Sequence, residues 1–149
     1  MFMFLMTNPI GDAMNNTEWA FPLCECFHII GFALSIGTIV VVDLRMLGLA
    51  LKSTTSAQLL KDTRMWTMAG LTVMLISGPL IFLSDPVMYM GNQSFRFKIG
   101  ALLVAILYNY TIHAKVTKGP DSPTAKLVAL VSILLWVSVV AGGLFIAFV

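Results

Sequence analysis

Four apolar runs separated by short polar breaks organise this chain. No residue from Cys26 to Val42 is formally charged, and the apolar pattern reaches back to Trp19 and Phe21, so a first span is expected at about 20–44, with Pro22 in its first turn. A second uncharged run, Met65 to Ser84, predicts a span over 65–84 that kinks near Pro79. The third is expected at 97–114, where Lys98 can extend its amine from the entrance towards water, and the fourth at 127–148. Each approaches the ~20 residues that cross a ~30 Å hydrocarbon core. Between them, Lys52 to Arg64 reads as a polar loop with room for a short surface helix, Asp85 to Gln93 as a turn, and Lys115 to Pro123 as a stiff connection. The apolar stretch Met1 to Met6 is short and lacks a basic flank, so it is read as lying flat at the bilayer surface or against a neighbouring subunit, not as a cleaved signal.

Composition agrees with the pattern. Of the 149 residues, 58% are hydrophobic and 11% charged, against roughly 25% charged in a soluble domain. The expected fold is therefore all-α, a single transmembrane domain over 1–149 forming an antiparallel four-helix bundle, multi-pass in the cell (inner) membrane. A net charge of +2 with no basic stripe excludes nucleic acid as a partner. The first and third loops hold Arg45, Lys52, Lys61, Arg64, Lys115, Lys118 and Lys126, and the opposite side only Arg96 and Lys98. The excess of positive charge predicts cytoplasmic first and third loops and extracytoplasmic termini.

The chemistry-bearing residues are few. His28 shares a helix face with Glu25, Gly31, Ser35 and Thr38. Such a face suits close helix packing through Gly31 and Ser35, or a haem site in which His28 ligates iron, Gly31 leaves room for the macrocycle and Glu25 orients the ring. His113, with Asn109 one turn before it, reads as an interfacial histidine bonded to a loop, or as a further haem contact. Depth separates the two: by rise per residue His28 lies about 9 Å below the outer boundary and His113 about 3 Å above the inner one. One iron cannot take both within a single chain. Asp43 and Arg45 are expected to form a structural ion pair, with each other or with a loop partner such as Arg64. Arg96 and Lys98, with Asp85 and Tyr89, are candidates for a quinone carbonyl or a lipid headgroup, or for interfacial anchoring. Cys24, Cys26, His28 and the methionines Met1, Met3, Met6, Met14, Met88 and Met90 form a soft-ligand neighbourhood that would suit Cu(I), although Cys26 leaves the face shared by Cys24 and His28. No nucleophile with a general base, phosphate-binding loop or zinc-helix motif is present.

Several strings together, His28-Ile-Ile-Gly31, Asp43-Leu-Arg45-Met-Leu-Gly48, Ser77-Gly78, and Asn109 near His113, resemble an uncharacterised family of small four-span bacterial inner-membrane proteins that are distantly cytochrome-b-like and copper-resistance-domain-like. The resemblance runs from about Trp19 to Lys118, and Asp-Leu-Arg-x-Leu-Gly is its most specific part. It implies a four-span bundle and singles out His28, Asp43, Arg45, Lys98 and Asn109. The function expected is a small membrane subunit or anchor of a larger redox complex, without catalysis of its own, in contact with the lipid bilayer and with other membrane subunits or further copies of itself. The alternatives are a b-type haem electron-transfer protein with His28 as iron ligand, and a copper-handling protein.

Overall fold

The structure, a computed structural model, describes residues 8–148; the surface placement expected for Met1 to Met6 lies outside them. The described residues form helices joined by short connections and contain no strand. A short helix α1 (Pro9–Asn16) precedes α2 (Ala20–Met46) and α3 (Ser56–Ser84). Then come α4 (Pro86–Gly91), α5 (Gln93–Tyr108), a π-helical turn Asn109–His113 and α6 (Ala114–Thr117), and finally α7 (Pro123–Leu144), which ends in a 3₁₀ turn Phe145–Phe148. Four stretches are long and apolar enough to cross a membrane: Ala20–Met46, Ser56–Ser84, Gln93–Thr117 and Pro123–Phe148.

The spans are longer than hydropathy predicts because polar caps, not the ends of the apolar runs, terminate them. Thr55 accepts a bond from the Gln58 backbone N–H at 3.1 Å, and this N-cap starts α3 nine positions before Met65. The polar turn that reads as a loop is therefore the first turns of the same helix. Asn92 caps α5 at the Phe95 N–H, and Ser122 caps α7 at the Ala125 N–H. Pro79 lies inside α3 without ending it.

Helix α2 packs along α3, and α5 along α7. Partner numbers run in opposite directions in both pairs: His28 with Ser77 and Thr38 with Thr67 in the first, Lys98 beside Gly142 and Asn109 with Ser132 in the second. The pairs join through α2 and α7, around Ile36, Ile39, Ala105, Trp136 and Val139, and then around Val42, Met46, Ala125, Val128 and Ala129. Helices α3 and α5 make almost no direct contact, and only α6 reaches α3. The fourth side of the bundle is a cleft.

Large apolar side chains such as Met65, Trp66, Leu103, Leu107, Leu127 and Leu134 face outward, while Ser35, Asp43, Asn109, His113, Thr117 and Ser132 are buried. That is the arrangement a lipid solvent imposes. At the α1 end, Asn8 and Asn15 donate to the carbonyls of Leu83 and Ser84 at 3.1 and 2.8 Å, and Asn92 donates to the Ile146 carbonyl at 3.0 Å. These amides satisfy carbonyls that the ends of α3 and α7 leave without helical partners. At the opposite, lysine- and arginine-rich end, Arg45 Nε donates to the Thr54 carbonyl and its Nη2 lies 3.2 Å from Asp121 Oδ2. One side chain thus ties the 47–55 loop to the 118–122 connection.

Candidate functional site

The principal polar centre lies where α2, the π turn and α7 converge. Asp43 is wholly buried, with Oδ1 2.5 Å from His113 Nε2 and Oδ2 accepting from Ser132 Oγ at 2.7 Å. Asn109 Nδ2 donates to Ser132 Oγ at 3.3 Å. Thr117 Oγ1 donates to the His113 carbonyl at 2.7 Å, leaving its lone pairs 3.5 Å from His113 Nδ1. Met46 Sδ also touches that hydroxyl, at 3.2 Å. The short Asp43–His113 separation requires a proton between the two atoms, carried by the ring or by the carboxyl.

The π turn explains how one helix supplies Asn109, His113 and Thr117 to one place. In an ideal α-helix, positions four apart drift by about 40°, so Thr117 would stand about 80° away from Asn109. A wider i→i+5 turn advances less per residue and keeps all three on the inward face.

Arg45 is not the partner of Asp43. Side chains two positions apart on a helix point to opposite sides; Asp43 turns inward to His113 and Ser132, and Arg45 turns to Thr54 and Asp121. Each expected ion pair exists with a different partner. His113 is likewise bonded to a helix instead of a loop. The sequence carried a signal for this pairing, since Asp43 and His113 sit at similar depth and a buried acid demands a partner.

His28 belongs to a second, smaller group. Its Nδ1 is 2.8 Å from Ser77 Oγ, and Cys24 Sγ lies 3.7 Å from the Ser77 carbonyl. Glu25 is exposed and does not orient the ring; Ser77 does. Gly31 is buried at the crossing of α2 and α3, where an added Cβ would fall 2.8 Å from the Gly70 carbonyl oxygen. The space expected for a macrocycle is filled by α3. Both ring nitrogens of His113 are engaged within its own network, remote from His28. These residues do not fit a haem held by the two histidines of one chain. Among the described residues, no group of three or more His, Cys, Asp or Glu side chains converges as a metal site, and Cys24 and Cys26 are free thiols on different faces.

At the α1 end, Arg96 is exposed, whereas Lys98 lies along α7 with Nζ 3.2 Å from where a Cβ on Gly143 would sit. Asp85 caps α4 by accepting from the Met88 N–H at 3.0 Å. The Tyr89 ring packs against both Phe95 and Phe82, at 5.2 and 6.3 Å, and those two stack on each other at 5.6 Å. Burial, with the carboxylates of Glu25 and Asp85 adding to it, pushes the Tyr89 phenol above the usual tyrosine range.

The third feature is a cavity of about 520 Å³ at the lysine- and arginine-rich end, enclosed by α2, α3 and the segment from Asn109 to Lys118. Thr38, Thr67, Asn109 and the His113 ring form its inner wall, Leu60, Met68 and Ala114 its apolar sides, and Lys61, Arg64 and Lys118 its mouth. Sequence reading assigned no role to this place, because its walls come from three separate segments.

Four helices of membrane-crossing length, with polar side chains turned inward and apolar ones outward, define a multi-pass membrane protein. The chain belongs to the family of unknown function DUF6644, whose match runs over residues 8–149. No curated protein and no solved structure matches it.

Proposed function

We propose that this protein is a small integral subunit of a larger membrane assembly of the redox class, an antiparallel four-span bundle in the cell (inner) membrane with both termini extracytoplasmic and no catalysis of its own. The observation that carries the reading is the open side of the bundle. A self-sufficient four-helix bundle closes all four helix contacts, whereas α3 and α5 stand apart and leave apolar side chains to be covered by lipid or by a neighbouring chain. The connections 47–55, 85–92 and 118–122 leave little of the described chain outside the membrane. The polar groups supply helix-to-helix bonds, among them those of the Asp43 carboxyl to the π turn and to α7. The cytochrome-b-like resemblance favours a redox partner over a purely structural one.

The test is extraction from its native membrane in a mild detergent, followed by native mass measurement and an absorption spectrum of the same fraction. A second polypeptide at fixed stoichiometry, with any redox absorbance travelling on that partner, is the expected result. A monodisperse single chain that keeps the helicity and stability it has in the membrane would refute the subunit reading, and a haem spectrum on the isolated chain that His28→Ala abolishes would favour the haem alternative in its place.

A further inference from the structure

We propose that the cavity between α3 and the segment from Asn109 to Lys118 is a binding site for one acidic phospholipid, its phosphate held by Lys61, Arg64 and Lys118 and one acyl chain lying in the cavity. The inference does not depend on the subunit reading. Its volume, about 520 Å³, falls in the roughly 300–1,000 Å³ range of ligand pockets, enough for one chain and part of a headgroup but not for a second chain. Three cations stand at the mouth and no carboxylate lines it; the neighbouring Asp62 accepts from Gln58 at 2.7 Å, and Asp43 is held by His113 and Ser132. The charge at the mouth is therefore uncompensated by the wall and complementary to a phosphate.

The interior fits an acyl chain. Thr38 and Thr67 bond each other at 2.7 Å, and the hydroxyls of Thr63 and Thr67 also turn to the backbone carbonyls of Leu59 and Thr63. With those hydroxyls satisfied inside the protein, and with Asn109 and His113 bonded to Ser132 and Asp43, the rest of the wall is the apolar group Ile39, Val42, Leu60, Met68 and Ala114.

Full-length protein in detergent would be titrated with dioleoylphosphatidylglycerol or dioleoylphosphatidylcholine and bound lipid counted by native mass spectrometry. One phosphatidylglycerol retained at least tenfold more tightly than phosphatidylcholine is expected. Replacing Lys61, Arg64 and Lys118 together by Gln should abolish that preference. Replacing Lys52 and Lys126, exposed cations at the same end that do not line the cavity, should leave it intact. Ala114→Phe, which fills the cavity but keeps every charge, should also abolish it, with helicity measured by circular dichroism to confirm folding; if that variant does not fold, Met68→Trp serves the same purpose from the other wall. Equal losses in the Lys52/Lys126 control, or unaltered binding in the filled variants, would show generic attraction to a basic surface and overturn the site. Displacement of bound phosphatidylglycerol by equimolar oleate would overturn the phospholipid assignment in favour of a free fatty acid.

Discussion

Removing the acceptor from the buried centre separates hydrogen bonding from charge. In Asp43→Asn, the amide oxygen still accepts from His113 and the amide nitrogen can donate to Ser132, provided that the serine hydroxyl turns away; one rearranged bond costs about 1 kcal/mol. In Asp43→Leu, of similar size, His113 Nε2 and Ser132 Oγ lose their shared acceptor in a place 0–1% exposed to solvent. Interhelical bonds in membranes average about 0.6 kcal/mol with a maximum near 1.7, so two lost bonds alone give about 1–3 kcal/mol. Leaving a polar partner buried and unpaired raises the loss to about 3–5 kcal/mol. Unfolding by increasing sodium dodecyl sulfate fraction in mild detergent, followed by helical circular dichroism, measures both variants on one scale. The triple variant Asp43→Leu, His113→Leu, Ser132→Ala should be more stable than Asp43→Leu alone, because no unpaired group remains. Equal stability of Asp43→Asn and Asp43→Leu would refute the argument that this network joins the two helix pairs.

Two further outcomes follow from the same geometry. Gly70→Ala places a Cβ 2.5 Å from the Gly31 carbonyl oxygen and 2.7 Å from the Ser35 nitrogen, and should destabilise by about 1–3 kcal/mol in the same titration. Gly37→Ala and Gly100→Ala, with nothing within 4 Å, should be neutral or stabilising by up to about 1 kcal/mol; loss at those positions equal to that at Gly70 would discount the crossing. For Tyr89, the raised phenol means that the folded protein holds this proton more tightly than the unfolded chain, so its contribution to stability falls as pH rises past about 10, the ordinary tyrosine value. The tyrosinate absorbance lost in Tyr89→Phe should therefore appear only above pH ~10, and its appearance below that pH would contradict the packing of the ring.

The four spans were legible because lipid demands continuous apolar runs, and hydropathy reads those runs directly. Their ends were not, since helices continue past the membrane wherever a cap such as Thr55 starts them in a polar turn. The importance of Asp43, His113 and Asn109 was visible, but not their assembly with Ser132, a residue in a span whose pattern is generic. The π turn at Asn109–His113 left no compositional mark. His28 stood out on the same grounds as Asp43, yet the glycine beside it serves the approach of two backbones, and residue type alone does not distinguish a glycine that makes room for a ligand from one that makes room for a helix.

The Asp43 centre also sets an order for biogenesis. Its partners His113 and Ser132 lie 70 and 89 residues downstream, so at about 5–20 residues per second the carboxyl waits roughly 4–18 s for the last of them to be synthesised. Until His113 follows, α2 and α3 can already be paired, with an acid at their flank that has neither partner. A nascent chain stalled before α5 should therefore be a target for membrane quality control, recognised by an acidic group that the finished molecule hides completely.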